Sequence, residues 1–116
     1  MRVGIDSIEI DRISKSLEIS GFLEKVFSEK EIELFKARNF KAETVAANFA
    51  VKEAFSKALG TGIRGFSLNE VSVLRDELGC PYLELAGNAK EVAYGLNFSA
   101  SITHTKTVAT AIVIAY

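Results

Sequence analysis

The segment 43–59 constrains the fold more than any other part of this chain. Ala46, Ala47, Ala50, Ala54 and Ala58 favour a helix there and let neighbouring backbone approach closely. Val45, Phe49, Lys52 or Glu53, and Ser56 mark its successive turns. Gly60-Thr61-Gly62 stops it, because glycine accepts the left-handed conformation that ends helices. The remaining elements must be arranged around this long helix.

Those elements are shorter. Residues 1–10 read as a strand carried by Val3, Ile5, Ile8 and Ile10. Its alternation slips between Ile5 and Ile8, which predicts a bend or bulge. Asp11 is placed to cap a short helix that has Ile13 and Leu17 on one face. Ser28-Glu29-Lys30-Glu31 matches a capping box, followed by Ile32, Leu34 and Phe35. Residues 68–74 alternate as a strand with Val71 and Val73 on one face, 76–81 turn, and 82–85 return as a strand. Residues 86–95 predict a short helix beginning near Gly87-Asn88. Segments 98–105 and 107–115 are strand-like, either joined by a tight turn at Lys106 or forming one long bent strand. Strand, helices, strands, helix, strands is an α+β order rather than a βαβ array, with antiparallel strands packed against the central helix.

Composition bounds the function. A chain of 116 residues fits one domain, spanning 1–116. A chain this short buries a modest fraction of its surface, so oligomerisation would help it. A hydrophobic content of 48% argues against disorder. The net charge is -1, from 14 Lys+Arg and 15 Asp+Glu, so no global field draws the chain to nucleic acid or to an anionic membrane. Cys80 is the only cysteine, which excludes an intrachain disulfide and a cysteine-rich metal site; it reads as a turn residue. The apolar stretch 108–116 is about half of what a membrane-spanning helix needs, and no signal-peptide pattern is expected. These features predict a cytoplasmic protein.

Three clusters carry chemical potential. Asp6, Glu9 and Asp11 crowd one strand end, where carboxylates are poor occupants unless paired or bound to a cation. Asp6 is the leading candidate, while Glu9 and Asp11 read as solvent-facing or capping residues. Glu53 and Lys57 lie four apart on the long helix, a spacing that also suits an ordinary surface ion pair. The alanines and aromatics around them suggest a partly buried face instead. There a carboxylate suits Mg2+ and a lysine one turn away suits phosphate oxygens. The loop Gly60-Thr61-Gly62-Ile63-Arg64-Gly65 lacks the lysine and hydroxyl of a phosphate-binding loop and reads as a helix stop. His104, the only histidine, stands in Ser101-Ile102-Thr103-His104-Thr105; it suits phosphate contact, substrate orientation or proton transfer, or a purely structural place. With no second histidine beside it, zinc is disfavoured.

Together these clusters resemble holo-acyl-carrier-protein synthase, the small bacterial type of the 4'-phosphopantetheinyl transferase superfamily. Gly4-Ile5-Asp6 with Asp11-Arg12-Ile13 resembles the family's first motif. The run from Phe49-Ala50-Val51-Lys52-Glu53-Ala54 through Lys57 to Gly62-Ile63 resembles its central motif, and Ser101-Ile102-Thr103-His104 its last. The resemblance implies that Asp6 and Glu53 bind Mg2+ with the pyrophosphate of coenzyme A. It implies that Lys57 contacts phosphate, that His104 lies near the coenzyme's phosphates, and that Gly62 and Ile63 line its cleft. Arg12 is implied to meet the acidic apo-acyl carrier protein, and the assembly is implied to be a homotrimer with sites at subunit interfaces. The sequence departs from the family pattern at Asn48, where many relatives have arginine. Thr103 replaces a common serine but keeps a hydroxyl, and Lys106 stands where acidic residues often follow.

The implied reaction moves 4'-phosphopantetheine from coenzyme A to a carrier serine and releases adenosine 3',5'-bisphosphate. Metal-bound or nearby water, directly or through Asp6 or Glu53, could take the serine proton, and the residues do not choose among these routes. A noncatalytic module that binds acyl carrier or nucleotide is the rival of a different class. A purely structural trimer is weaker, since it gives no reason for Asp6, Glu53, Lys57 and His104 to occur together.

Overall fold

The computed structural model describes residues 1–116. The long helix α4, Ala42–Leu59, begins one residue before the stretch read from sequence and ends at Gly60, which adopts φ 81°. It lies across a three-stranded antiparallel sheet of order β1-β5-β4, formed by Arg2–Glu9, Val108–Ala115 and Phe98–His104. The contact is made by small residues. Ala54 and Ala58 of α4 are fully buried, and Ala109, Ala111 and Ala115 of β5 are almost so.

Gly4 allows the closest approach. A Cβ there would stand 1.9 Å from the Ala54 carbonyl oxygen and 2.7 Å from the Ala58 nitrogen. Any side chain would therefore push β1 off the helix.

The expected bulge in β1 is absent. Pairing runs unbroken from Arg2 opposite Ala115 to Glu9 opposite Val108. The apparent slip has a simple origin. Gly4 and Ile8 are buried on the helix face, whereas Val3 and Ile5 stand on the other face, each 59% exposed. Both faces of this strand carry apolar residues, so its hydrophobic pattern does not report its geometry.

Two further local expectations are corrected. Helix α1, Ile10–Ser16, starts before Asp11, with Glu9 as its N-cap and no side-chain cap. Asp11 sits instead in the first turn, where its charge favours the helix dipole. A short helix α2, Phe22–Val26, follows Gly21 at φ 85° and had no clear sequence signal.

The capping box opens α3, Glu29–Ala37, as read from sequence. Ser28 Oγ accepts from the Glu31 amide at 3.3 Å, and Glu31 Oε1 accepts from the Ser28 amide at 3.1 Å. The predicted strand 68–74 is divided. Leu68–Glu70 form a 3₁₀ turn held by the Glu70 carboxylate on the Ser67 amide, and β2 then runs from Val71 to Arg75. It pairs antiparallel with β3, Pro81–Leu85, through a turn in which Asp76 Oδ1 accepts from the Leu78 and Cys80 amides. Cys80 is free and exposed. Helix α5, Gly87–Val92, leads into β4. Between β4 and β5, Thr105 Oγ1 accepts from the Thr107 and Val108 amides, so Lys106 lies in a tight turn and the two strands are separate. No helix is long and apolar enough to cross a membrane.

Candidate active site

The close packing of β1 on α4 sets Asp6 beside the helix face that carries Glu53 and Lys57. Lys57 Nζ donates to the Ile5 carbonyl at 2.9 Å and meets Asp6 Oδ1 at 3.2 Å. The ordinary reading of the Glu53 and Lys57 spacing, an ion pair along the helix, is not what the chain forms; the lysine's ion pair is with Asp6. The Asp6 side chain is only 18% exposed, so the pair is sheltered on the acidic side.

Asp6, Ser7, Ile8, Arg12, Phe49 and Glu53 line a recess of about 260 Å³. Burial raises the pKa of Glu53, and the nearby charge of Asp6 raises it further; Lys57 and Arg12 pull it back. Two carboxylates that repel each other in a half-buried recess suit a hard divalent cation. No group of three His, Cys, Asp or Glu side chains converges anywhere in the chain. Any cation held by Asp6 and Glu53 must complete its shell with water or ligand oxygens, as Mg2+ does when it binds phosphates. The donor set thus fits Mg2+.

Arg12 projects from α1 into this same recess rather than standing apart from it. The other sequence candidates lie elsewhere. Gly62, at φ 67°, and Ile63, 44% exposed, belong to the loop after α4. That loop borders a separate cavity of about 630 Å³ lined by Leu59, Gly60, Thr61, Arg64, Gly65, Val92 and Leu96, and neither Gly62 nor Ile63 lines it. His104 closes β4 and shares a pocket with Thr44 and Ala47 of α4 and with Arg38, Arg75 and Pro81. β5 lies between β4 and β1, so His104 and Asp6 stand on separate strands and line separate pockets.

Sequence reasoning missed a polar network beneath the helix. Lys52 and Glu31 are both fully buried and paired at 2.5 Å. Lys52 also donates to the carbonyls of Leu68, at 2.9 Å, and Val71. Burial is the largest influence on both groups, raising the pKa of Glu31 and lowering that of Lys52. Asn48 is fully buried as well. Its Nδ2 donates to Glu31 Oε2 at 3.0 Å and to the Val73 carbonyl at 2.9 Å, and its Oδ1 accepts from Arg75 Nη2 at 2.8 Å. Asn48 therefore anchors β2 to α4. At this position, where many relatives have arginine, the chain thus has a buried structural residue. Asn48 and Lys52, one turn apart among Val45, Val51 and Phe55, hint at a polar patch on the buried face, but nothing local in the sequence names their partners.

Residues 2–113 match the 4'-phosphopantetheinyl transferase superfamily. A holo-[acyl-carrier-protein] synthase of Clostridium botulinum is 47% identical over 96% of this chain and 94% of its own length. The solved Helicobacter pylori holo-[acyl-carrier-protein] synthase, in complex with coenzyme A, is 33% identical, with a TM-score of 0.86 over 98% of this chain and 99% of that one. The Bacillus anthracis synthase, solved with CoA (3',5'-ADP), is 36% identical, with a TM-score of 0.82 over 98% and 94% of the two chains. This chain thus belongs to the 4'-phosphopantetheinyl transferase superfamily, among its holo-acyl-carrier-protein synthases.

Proposed function

We propose that the chain transfers 4'-phosphopantetheine from coenzyme A to a serine of apo-acyl carrier protein, with Mg2+, in the cytoplasm, and that residues 1–116 act as one catalytic domain. The observation that carries this reading is the recess in which Asp6 and Glu53 face each other beside Lys57. The coenzyme-bound relatives support the choice of donor.

Asp6 and Glu53 would hold the metal. When bound, it withdraws charge from the reacting phosphorus and stabilises the leaving phosphate. Lys57, fixed by the Ile5 carbonyl and Asp6, presents its ammonium to the coenzyme's phosphate oxygens and adds to that field. The serine oxygen forms a bond to the phosphorus that bears pantetheine. The bond from that phosphorus to the adenosine 5'-phosphate breaks, and adenosine 3',5'-bisphosphate departs. The serine proton passes to solvent directly or through a recess carboxylate. Glu53 suits this task, because burial and the charge of Asp6 raise its pKa above the ordinary carboxylate value. Arg12, exposed on α1 and lining the recess, offers its charge to an acidic carrier. Gly62 and Ile63, in the loop bordering the cavity after α4, would meet the coenzyme further along, as the family resemblance implies.

A homotrimer is part of the proposal. The outer face of the sheet carries Val3 and Ile5, with Ile112 opposite Ile5 and Ile114 opposite Val3. Val3, Ile5 and Ile112 are 59%, 59% and 37% exposed, and such a patch favours a covering partner. His104 and the recess lie in separate pockets of one chain. A site at a subunit interface would join the His104 of one copy to the carboxylates of the next.

The test is intact-mass analysis of apo-acyl carrier protein incubated with this chain, coenzyme A and Mg2+. A gain of about 340 Da that requires both the enzyme and free Mg2+ is expected from the phosphodiester chemistry. No gain with several competent carriers, alongside a working control transferase, would favour a module that binds without turnover.

A further inference from the structure

The transfer reading brings phosphates to an end of α4 that would repel them. Lys57 stands in the last turn of that helix, so the phosphates it would meet approach the C-terminus. There the unpartnered carbonyls and aligned peptide dipoles carry a negative partial charge. The lysine's ammonium alone is a poor counterweight, because it is already shared with the Ile5 carbonyl and Asp6.

Arg2 is a second cation at that end. It opens β1, and its Nη1 donates to the carbonyl of Leu59, the last residue of α4, at 3.1 Å. No carboxylate lies within ion-pair distance of it. The guanidinium also lies against Gly60. A Cβ on that residue would stand 1.6 Å from Nη1 and 2.9 Å from Cζ, so only glycine leaves room for it.

Gly60 is also the root of the loop 60–65. No hydrogen bond joins residues 61–65 to another element; the Arg64 amide and the Thr61 hydroxyl both donate to the Gly62 carbonyl within the loop. At its far end the loop is held by Phe66, buried edge-on against Phe55 with ring centroids 5.5 Å apart. At its near end the polar tether is Arg2.

We propose that Arg2 is a positioning residue for the donor substrate: clamped between the Leu59 carbonyl and Gly60, its guanidinium fixes the root of the 60–65 loop and offsets the negative end of α4 where the coenzyme's phosphates arrive. This rests on the transfer reading above, in which Lys57 and that loop meet the coenzyme. Arg2 acts through the loop and through its field, not by contact with the coenzyme. β1 then serves the site twice, by presenting Asp6 and by anchoring the end of the helix that carries Glu53 and Lys57.

Calorimetric titration of the full chain with coenzyme A, and amide exchange of the coenzyme-free chain, test this. Arg2 is exposed, so its replacement leaves the core intact. Arg2→Met keeps the stem and removes the charge and the donor. It is expected to weaken coenzyme A about threefold to fivefold at low salt, and the loss should shrink at high salt as a field effect does. Arg2→Lys, which keeps the charge, should recover part of the affinity. The amides of residues 61–65 should exchange faster in Arg2→Met than in wild type. In turnover the effect should fall on the KM for coenzyme A, with kcat and the KM for apo-acyl carrier protein within about twofold of wild type. Faster loop exchange with unchanged coenzyme affinity would make the clamp purely structural and overturn the proposal. So would a loss shared equally by coenzyme A and the carrier. Both results leave the transfer reading standing, whereas wild type that binds no coenzyme A overturns that reading and the role of Arg2 with it.

Discussion

Glu53 is where stability and function pull against each other. Its carboxyl pKa is raised in the folded chain, first by burial and then by Asp6. A raised pKa favours the protonated form, so the contribution to stability is present below the ordinary carboxylate range. It is lost as pH rises through the raised value, and at neutral pH the ionised group works against folding. The group is half-exposed, so solvent screens much of this cost. Glu53→Gln keeps the shape and removes the charge. The variant is expected to melt roughly 1–3 °C higher than wild type at pH 7 without metal, and the difference should vanish near pH 4. Mg2+ should raise the melting temperature of wild type but not of the variant, and transfer should fall at least about a hundredfold. A variant that melts lower than wild type at pH 7 would contradict the repulsion on which this rests.

At the scale of elements, the long helix is held from two sides by different physics. On one side β1 meets it through a glycine. Gly4→Ala forces a Cβ into the Ala54 carbonyl and should cost about 2–3 kcal/mol in denaturant titration. It should also lower transfer beyond what unfolding explains, because Asp6 moves with its strand. Full activity in the folded fraction would separate the site from that contact. On the other side the helix is held by charge. Lys52→Ala would orphan Glu31 and the Leu68 and Val71 carbonyls in a dry interior, at a cost of about 3–5 kcal/mol. A loss below about 1 kcal/mol would mean that water enters to replace the ammonium. These two contacts also show what the sequence could and could not yield. The alanines of α4, its Gly60 stop, the Ser28 box and the paired strands were readable, because each is a local preference written in neighbouring residues. The β1 geometry was misread because Ile5 and Ile8 serve opposite faces. The Glu31, Asn48, Lys52 and Arg75 network was invisible because its members lie on three elements and meet only after folding. Asp6, Glu53 and Lys57 were nameable from motif resemblance, but the pairing of Lys57 with Asp6 rather than Glu53 required the strand to be in place.

For the whole molecule, the question is whether one chain contains a working site. The recess and the His104 pocket are separate in one copy, and the outer sheet face exposes Ile5 and Ile112 in register. Both facts have one solution if copies associate through that face and each site takes its carboxylates from one chain and its histidine from another. Two inactive variants can then rescue each other. Asp6→Asn leaves a good histidine, and His104→Ala leaves good carboxylates. After unfolding and refolding as an equal mixture, random assembly gives a site with both intact in about one quarter of cases, so activity should recover to about a quarter of wild type. Variants refolded separately and then mixed should recover little if subunits do not exchange. Ile5→Glu, which charges the shared face, should shift otherwise wild-type chains from the proposed trimer to monomer in light scattering and abolish the rescue. Rescue can arise only between chains, so its absence in mixtures that are demonstrably mixed trimers would place a whole site within each chain. Each copy would then have to bring His104 to Asp6 by its own motion across β5, a rearrangement that the unbroken register of the sheet opposes.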